Sequence, residues 1–533
     1  MGLRASALGV VASLLFACAQ RGEKTTPVEA EPLRDPARAA ALASVRDVDS
    51  VTSEDLGHGD GAVRRAAVRA LARIDDPRVV TQLLPTLSDE DPEAIAFSAH
   101  GLGWACEQDP SRAASTTKAL IARAISLEPE GTPAFDPAFA ITRALVRCAS
   151  APTEPTLVAY LHRSAPWARG AALALGILAS EKGALAKATQ LALVEAAAAP
   201  RSIDEALFAL ARIDVASDLH PRLVEVARSR LDQKGPARFF GLRALGRAGA
   251  EGARLLADAV KEADLDEAER AEALRALARL GENGQRALRD YVKTAMPSEG
   301  EVEALQGVTF GPLLVAVEGL GTTWTWARET LQAVARTPVP TDASPALARR
   351  LDRLRCTAGK RVVATGDPLL EGCEAPRLAG ETRQASAVNA QAPEPASQPR
   401  KLRFVTDAGS ATVTLDPSLA PRSVARIVEL AKGGYFDGTP IGRAIPGFFV
   451  RLGGGKEGAS RPAPLPRETS PIPFDAFTVG LALDDDGTAS DELFVTLARL
   501  PELDGRYAWL GRADRAFAQL AEGDVIEKVV VED

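Results

Sequence analysis

The sequence has little of what nucleic-acid-binding and metal-binding proteins need. Its 533 residues carry a net charge of −8, and no basic run is longer than two residues. This excludes the basic footprint of a nucleic-acid-binding protein. With four histidines, five cysteines and no CxxC pair, a structural zinc site is not expected. We therefore expect no nucleic acid, no metal and no cofactor.

Long apolar segments are also scarce. Residues 1–17 place Arg4 before an apolar run of thirteen residues, which is the order of a secretory signal peptide. The run is too short to cross a bilayer, which takes ~20 residues, and no second run approaches that length. Residues 18–39 carry prolines among charges and are predicted to be a flexible tether.

The apolar run ends at Leu15-Phe16-Ala17-Cys18, which resembles a bacterial lipobox. The resemblance implies that Cys18 is lipidated, becomes the mature N-terminus and anchors the protein in a membrane. Because Ala19 and not an aspartate follows, the same resemblance favours the periplasmic side of the outer membrane in a bacterial cell envelope. A plain signal peptide with an incidental cysteine is the alternative.

Four cysteines remain if Cys18 is lipidated. An even number in an exported protein permits disulfides. Cys356 and Cys373 would close a short loop, and Cys106 with Cys148 could bridge neighbouring repeats. Four buried free thiols are the alternative.

Residues 40–375 are rich in Ala, Leu and Arg and follow helical spacing. Similar strings recur around a leucine, at Leu71, Leu102, Leu145, Leu175, Leu210, Leu245 and Leu277. The gaps of 31, 43, 30, 35, 35 and 32 residues fall in the period range of helix-hairpin solenoids. The strings resemble HEAT repeats, which implies an all-α solenoid whose surface binds a protein partner.

Composition changes after the repeats. Residues 376–400 are rich in Ala, Gln, Ser and Pro and are predicted to be a linker. Because nothing in the linker couples its two sides, we expect the flanking regions to unfold independently. Beyond it, apolar residues alternate at 402–406 and 411–415, which predicts two strands joined by a turn. Residues 421–432 are predicted to form a helix with Pro421 in its first turn.

Residues 401–533 carry several motifs in a fixed order. They are GYFDGT and RAIPGFF between 434 and 449, TVGLA at 478–482, LFVTLA at 493–498 and LDGRYAWLGR at 503–512. Together they resemble the cyclophilin-type peptidyl-prolyl cis-trans isomerases. The resemblance implies an antiparallel β-barrel capped by helices, following the solenoid.

The resemblance also implies site residues. Arg443 matches the catalytic arginine, and Phe448 and Phe494 match aromatic residues of the proline pocket. Apolar wall positions are matched by Leu481, Leu493 and Leu503. The family's two groove glutamines are replaced by Arg451 and Glu492, and its usual histidine by Tyr507. We expect these three replacements to line the substrate groove, with Arg451 and Glu492 able to form an ion pair across it.

An arginine and a phenylalanine are residue types that can catalyse rotation about an Xaa-Pro bond. The barrier of ~18–20 kcal/mol comes from amide resonance, and no bond is made or broken. A catalyst needs an apolar slot for the ring and a donor that stabilises the twisted amide. The first hypothesis is therefore an envelope-tethered isomerase acting on proline-containing clients recruited by the solenoid. The second is a non-catalytic scaffold that grips such peptides, and the third is a purely structural lipoprotein.

Overall fold

A computed structural model describes residues 34–532 except 44, 129–134, 201–202, 297–309, 365–366, 372, 374–392, 456–461, 466 and 484–488. Residues 1–17, Cys18, most of the predicted tether and most of the predicted linker lie outside this range. Within the described range, no helix is both long enough and apolar enough to cross a membrane.

The first part of the chain is helical. Its helices are α1 (Pro36–Ala43), α2 (Ser53–Leu56), α3 (Gly61–Leu71), α4 (Val79–Thr86), α5 (Pro92–Gln108), α6 (Ala113–Ser126), α7 (Pro137–Cys148), α8 (Thr153–Tyr160), α9 (Ala165–Lys182), α10 (Lys187–Ala198), α11 (Glu205–Leu210), α12 (His220–Arg228), α13 (Pro236–Leu245), α14 (Gly249–Ala259), α15 (Glu267–Leu277), α16 (Gly281–Ala295), α17 (Phe310–Gly319), α18 (Thr325–Ala335) and α19 (Pro345–Val362). We call α1–α19 the helical region.

The helices stack as two rows. Each odd-numbered helix from α3 to α17 packs against the next odd-numbered helix, and α10, α12, α14, α16 and α18 form part of a second row. We call the odd-numbered row the inner row. Small residues allow its helices to approach closely: a Cβ on Gly103 would lie 3.0 Å from the Cα of Ala144. This stacking is the solenoid that the leucine period predicts.

Helix starts follow from the sequence. Asp91 accepts hydrogen bonds from the backbone nitrogens of Glu93 and Ala94, with proline next in the chain. Asp136 begins α7 in the same way. An aspartate cap followed by proline at the first helical position satisfies free amides without losing a helical hydrogen bond.

Both proposed disulfides are present. Cys106–Cys148 joins α5 to α7 in neighbouring repeats, and Cys356–Cys373 closes a loop after α19. The disulfide alternative is therefore confirmed over the free thiols. The 42-residue and 17-residue separations correspond to about 4 and 3 kcal/mol of loop-closure stabilisation.

The last part of the chain is a single antiparallel sheet with one helix. Its elements are β1 (Arg400–Thr406), β2 (Gly409–Leu415), α20 (Pro421–Lys432), β3 (Thr439–Pro440), β4 (Arg443–Ile445), β5 (Phe449–Leu452), β6 (Thr478–Leu483), β7 (Ala489–Thr496), β8 (Ala508–Ala513) and β9 (Val525–Glu532). The strand order is β3-β9-β1-β2-β8-β6-β7-β5-β4. We call this part the sheet domain, and the predicted fold class is confirmed.

The local predictions for this domain are also confirmed. The β1–β2 hairpin pairs Thr406 with Gly409, and α20 spans Pro421–Lys432 with Val424 and Ile427 fully buried. The alternating residues of β1 and β2 face one core because successive strand side chains point to opposite faces.

The sheet domain lies against the inner row. Arg46 contacts Glu468 at 2.9 Å, and the Nε2 of His100 lies 3.0 Å from the hydroxyl of Thr469. At the other end, Arg350 on α19 contacts Asp524 at 3.2 Å. The expectation of two uncoupled regions is therefore wrong. The expectation rested on the composition of the linker, whereas the sheet domain and the helical region are coupled by direct contacts.

Candidate active site

Arg443 is the first residue of β4, which a short turn joins to β5. This arginine is exposed at the edge of the sheet, opposite Arg451 on β5. Gly447 turns the chain with φ 70°, a conformation that glycine adopts without steric cost. The backbone nitrogen of Phe448 donates to the carbonyl of Ile445 at 2.9 Å, which closes the turn. The fold thus exposes Arg443 on an edge strand that is followed by a short, hydrogen-bonded turn.

The expected ion pair between Arg451 and Glu492 is present. The Nε of Arg451 lies 3.2 Å from Oε2 of Glu492, with side-chain exposures of 35% and 21%. The two residues come from neighbouring strands, and Arg451 is opposite Phe494 in the β5–β7 pairing. The groove therefore carries a partly exposed charge pair beside its aromatic residues.

Phe494 lies at the centre of an aromatic cluster. Its ring stacks on Phe474 at 5.6 Å, and the ring of Tyr507 meets it edge-on at 5.1 Å. Phe449 approaches at 6.5 Å. Phe494 is only 5% exposed, so the protein's own rings close the predicted slot. Tyr507, which meets Phe494 edge-on, is itself partly exposed.

Phe448 borders the helical region. The guanidinium of Arg243 on α13 lies 5.4 Å from its ring centroid, and that of Arg275 on α15 lies at 5.5 Å. Arg275 also donates to the carbonyl oxygen of Pro446. The turn from β4 to β5, which follows the strand of Arg443, is therefore held by two arginines of the inner row.

The structure brings most of the predicted residues to one edge of the sheet. Arg443, Arg451 and Phe494 are linked by strand pairing. Tyr507 and Leu503 pack with Phe494 in the aromatic cluster, and Glu492 completes the ion pair.

Leu481 and Leu493 are the exceptions. Both are 0% exposed and belong to the core of the sheet domain, where they are opposite each other on β6 and β7. Leu493 precedes Phe494, so its side chain points to the opposite face of the strand. These two leucines are core residues, and their prediction as groove wall is wrong.

Sequence reasoning missed four residues of the site. Phe449 follows Phe448 in the same motif and could have been found from it. Phe474 comes from a segment whose path only the tertiary structure shows. Arg243 and Arg275 lie more than 170 residues before Phe448, and only their shared position in the repeat could have marked them.

A buried ion pair fixes the loop that carries Leu503 and Tyr507. Asp504 is 0% exposed and accepts hydrogen bonds at 2.7 Å from the backbone nitrogen of Phe474 and from Arg499. Burial raises the pKa of Asp504, and the charge of Arg499 opposes that shift. The pair ties this loop to the segment that supplies Phe474.

Glu267 lies behind the turn from β4 to β5. It lines a small cavity with Pro446, Arg353 and Glu522, and its Oε2 is buried without a hydrogen bond to any residue that the structure describes. Burial raises the pKa of Glu267 to about 8. A carboxyl group that is neutral at pH 7 therefore sits at the contact between the two parts of the chain.

No metal-binding cluster accompanies this site among the described residues, since no three or more His, Cys, Asp or Glu side chains are grouped there to hold an ion. The groups that the structure places at the site are a guanidinium, a charge pair and aromatic rings. Such groups can bind a peptide and polarise its amide.

Two family models match the chain. The model of cyclophilin-type peptidyl-prolyl cis-trans isomerases matches residues 401–532, and the model of HEAT repeats matches residues 50–124. The first covers the whole sheet domain up to its last strand. The second covers α2 to α5 and most of α6.

Curated relatives match the sheet domain. A probable peptidyl-prolyl cis-trans isomerase of Brucella suis is 32% identical over 119 residues, which are 20% of this chain and 61% of that protein. The chain thus spans about three fifths of the Brucella protein. Peptidyl-prolyl cis-trans isomerase B of Bacillus subtilis is 30% identical over 137 residues, which are 24% of this chain and 95% of that protein.

Among solved structures, a cyclophilin-type peptidyl-prolyl cis-trans isomerase from Cryptosporidium parvum is similar. It shows 20% sequence identity and a TM-score of 0.22, and the match covers 26% of this chain and 99% of that one.

A Helicobacter pylori peptidyl-prolyl cis-trans isomerase is 30% identical over 135 residues, which are 24% of this chain and 83% of that protein. Through its sheet domain, the chain belongs to the cyclophilin-type peptidyl-prolyl cis-trans isomerase family.

Proposed function

We propose that the protein is a peptidyl-prolyl cis-trans isomerase whose helical region holds the catalytic domain and recruits proline-containing polypeptides. The observation that carries this proposal is the exposed Arg443 on the same edge of the sheet as Phe494, against which Leu503 and Tyr507 pack. Membership of the family gives these residue types their expected roles.

The proposed mechanism needs one donor and one slot. As the amide twists, the prolyl nitrogen loses resonance and gains a lone pair. A guanidinium directed at this nitrogen stabilises the transition state more than the ground state. Arg443 is the motif-matched donor, and the aromatic cluster around Phe494 supports the prolyl ring.

The site also predicts slow catalysis. Arg451 and Glu492 are engaged with each other, so binding a peptide backbone requires them to exchange partners. Tyr507 has to rotate away from Phe494. Each step adds to the cost of reaching the productive complex, and we expect turnover below that of a groove lined by free amides.

A protease-coupled assay with an Xaa-Pro peptide and the full mature chain tests this function. Removing one preorganised donor costs ~10²–10³ in rate, so Arg443→Ala should abolish nearly all turnover with an unchanged circular-dichroism spectrum. The matched control is Arg403→Ala, because Arg403 is a partly exposed strand arginine paired with Glu532. Its strand, β1, is far from β4 in the strand order of the sheet. An active wild type that is indifferent to Arg443→Ala would show that the groove is misassigned.

The second candidate is a peptide-binding scaffold without turnover. The replacement of the two groove glutamines by Arg451 and Glu492, which pair with each other, favours this alternative. Binding of Xaa-Pro peptides in the absence of turnover would decide for the scaffold.

The proposed location is the periplasmic side of a bacterial outer membrane, with Cys18 as the lipid anchor. The lipobox resemblance supports it, and so do the two disulfides, because such bonds persist in oxidising compartments. The proposed clients are envelope proteins, brought to the groove by a partner site on the helical region.

A further inference from the structure

Arginines recur at two positions of the inner row. Counted from the leucine that marks each repeat, they stand two residues before and two residues after it. The members are Arg69, Arg73, Arg143, Arg147, Arg212, Arg243, Arg247, Arg275 and Arg279. We call this set the arginine ladder. The two positions are four residues apart, about one helical turn. All second-position members except Arg147 lie just after the C-terminal end of their helix.

Most of the ladder contacts the sheet domain. Arg69 donates to the carbonyl of Ser418 at 3.1 Å, and Arg212 lies 3.6 Å from Glu502. Other members donate to backbone carbonyls, namely Arg73 to Leu419, Arg147 to Gly505 and Arg275 to Pro446. The ladder is therefore the surface by which the helical region holds the catalytic domain.

Arg247 and Arg279 make no hydrogen bond or ion pair with the described part of the sheet domain, and we call them the open arginines for that reason alone. Arg247 donates to the carbonyl of Ala211 and pairs at 2.6 Å with Asp214, which is 99% exposed. Arg279 is exposed, and its guanidinium makes no hydrogen bond or ion pair with any residue that the structure describes, whereas its backbone nitrogen donates to the carbonyl of Ala276 at 3.2 Å. Neither guanidinium contacts the described part of the sheet domain.

The two open arginines border one depression. It has a volume of about 540 Å³ and is also lined by His220, by Asn283 and by two carboxylates, Asp214 and Glu282. Both carboxylates are already paired, Asp214 with Arg247 and Glu282 with Arg286, so a carboxylate of the client has to displace the exposed Asp214 from Arg247. Lost hydration lowers the pKa of Arg279. The negative charge of Glu272 raises this pKa, whereas the positive charges of Arg247, Arg243 and Arg275 lower it further. An anionic partner would relieve this repulsion between like charges.

The depression is close to the groove. Arg243 and Arg275 contact Phe448, and each stands four residues before an open arginine on the same chain segment. One helical turn is about 5.4 Å, whereas an extended peptide advances ~3.3 Å per residue. A client held at Phe448 can therefore place side chains on Arg247 and Arg279 within a few residues of its proline.

We propose that Arg247 and Arg279 bind carboxylate side chains of the client, so that the preferred substrates are Xaa-Pro segments with Asp or Glu a few residues from the proline. The proposal rests on the proposed function, since it assumes that clients enter the groove beside Phe448. The protein's net charge of −8 would repel an acidic peptide at most surfaces, which makes this patch the favourable place for one.

The test uses the full mature chain and three fluorescent proline peptides. They carry Glu-Glu, Gln-Gln or Lys-Lys at matched offsets on either side of the proline. We expect the acidic peptide to bind about tenfold more tightly than the Gln peptide in fluorescence anisotropy. This preference should shrink as salt rises, because partly exposed charges are screened. Turnover of the same peptides is measured separately.

Variants locate the preference. Arg247→Gln and Arg279→Gln should each reduce it, and the double variant should abolish it while the Gln peptide binds unchanged. The control is Arg254→Gln, because Arg254 is an exposed arginine of the neighbouring α14 that pairs with Glu251. Unchanged Gln-peptide binding also shows that the variants are folded.

The outcomes separate the two proposals. Equal affinity for acidic and Gln peptides, or a preference that survives in the double variant, would overturn the ladder proposal even if turnover is normal. An acidic preference lost in the double variant, without turnover of any peptide, would overturn the isomerase function and support the carboxylate site. If no proline peptide binds, both proposals fail.

Discussion

Arg275 on α15 donates a hydrogen bond to the carbonyl oxygen of Pro446, and its guanidinium lies 5.5 Å from the ring of Phe448. A residue of the helical region thus holds both ends of the turn after Arg443. Glu272, which is 1% exposed, in turn orients Arg275 at 3.3 Å. The position of this turn therefore depends on a repeat that precedes it by about 170 residues in sequence.

The first prediction concerns this coupling. Arg275→Gln removes a hydrogen bond from a charged donor, which is worth about 1.5–3 kcal/mol, and it loosens the loop. We expect lower kcat/KM with a modest loss of stability, and a single unfolding transition for both parts of the wild-type chain. Denaturant unfolding followed by far-UV circular dichroism and by tryptophan fluorescence checks this.

The control for that experiment is Arg286→Gln, because Arg286 is an exposed arginine of α16 paired with Glu282. It should leave both activity and the transition unchanged. Two well-separated wild-type transitions, with Arg275→Gln as active as wild type, would contradict the coupling.

The second prediction concerns the ion pair in the groove. Replacing both Arg451 and Glu492 by Gln removes two charges that hold each other at 3.2 Å and supplies two neutral amides. A partly exposed pair contributes ~0–1 kcal/mol, so stability should change little. We expect the double variant to turn over Xaa-Pro peptides faster than wild type, because free amides can bind the peptide backbone.

The single variants are the control. Each should be less active than the double variant, since it leaves one charge unpaired beside the substrate. A double variant that is no faster than either single variant would show that the pair does not limit catalysis.

The sequence predicted the elements well because their signals are local. The leucine period, the Asp-Pro helix starts and the period-two strands each depend on neighbours in the chain. Arg451 and Glu492 were also predicted to meet, because the family motifs place both in one groove. The closed state of Phe494 was not predictable, since Phe474 reaches it through a tertiary contact. The contact between Arg275 and Pro446 was missed for the same reason.

The third prediction concerns the anchor. If Cys18 is lipidated, Cys18→Ser should stall processing or release the protein from membranes, because an apolar run of thirteen residues cannot itself span a bilayer. Membrane fractionation and mass spectrometry of the N-terminus check this. A variant that stays fully with the membranes and keeps an unchanged N-terminus would contradict the lipoprotein proposal.

The fourth prediction concerns pH. Glu267 has a raised pKa of about 8, against an ordinary 4.5, because it is buried; Arg350 opposes the shift and Asp266 adds to it. Since the folded pKa of Glu267 is above its unfolded pKa, the contribution of this carboxyl group to the free energy of unfolding is fully present below about pH 4.5. It is lost as pH rises towards 8, while the unfolded chain ionises and the folded one does not.

The size of this effect has an upper limit. Each unit of pKa difference corresponds to 1.36 kcal/mol, so the shift can cost up to about 5 kcal/mol. Glu267→Gln keeps the shape of the neutral acid. We expect the variant and wild type to have similar unfolding free energies near pH 5 and the variant to be more stable by several kcal/mol at pH 8.5. Denaturant unfolding at both pH values measures this difference.

Glu251→Gln is the matched control, because Glu251 occupies the first turn of α14 and is exposed. Its removal should change stability by only about 0.3–1 kcal/mol, the usual size of a charge near a helix start, with no gain at high pH. Because Glu267 lines the cavity behind Pro446, its ionisation should also loosen the turn from β4 to β5. Wild type should therefore lose kcat/KM above pH 8 more steeply than Glu267→Gln. Parallel pH profiles for stability and for activity in the two proteins would show that Glu267 is already ionised in the folded chain.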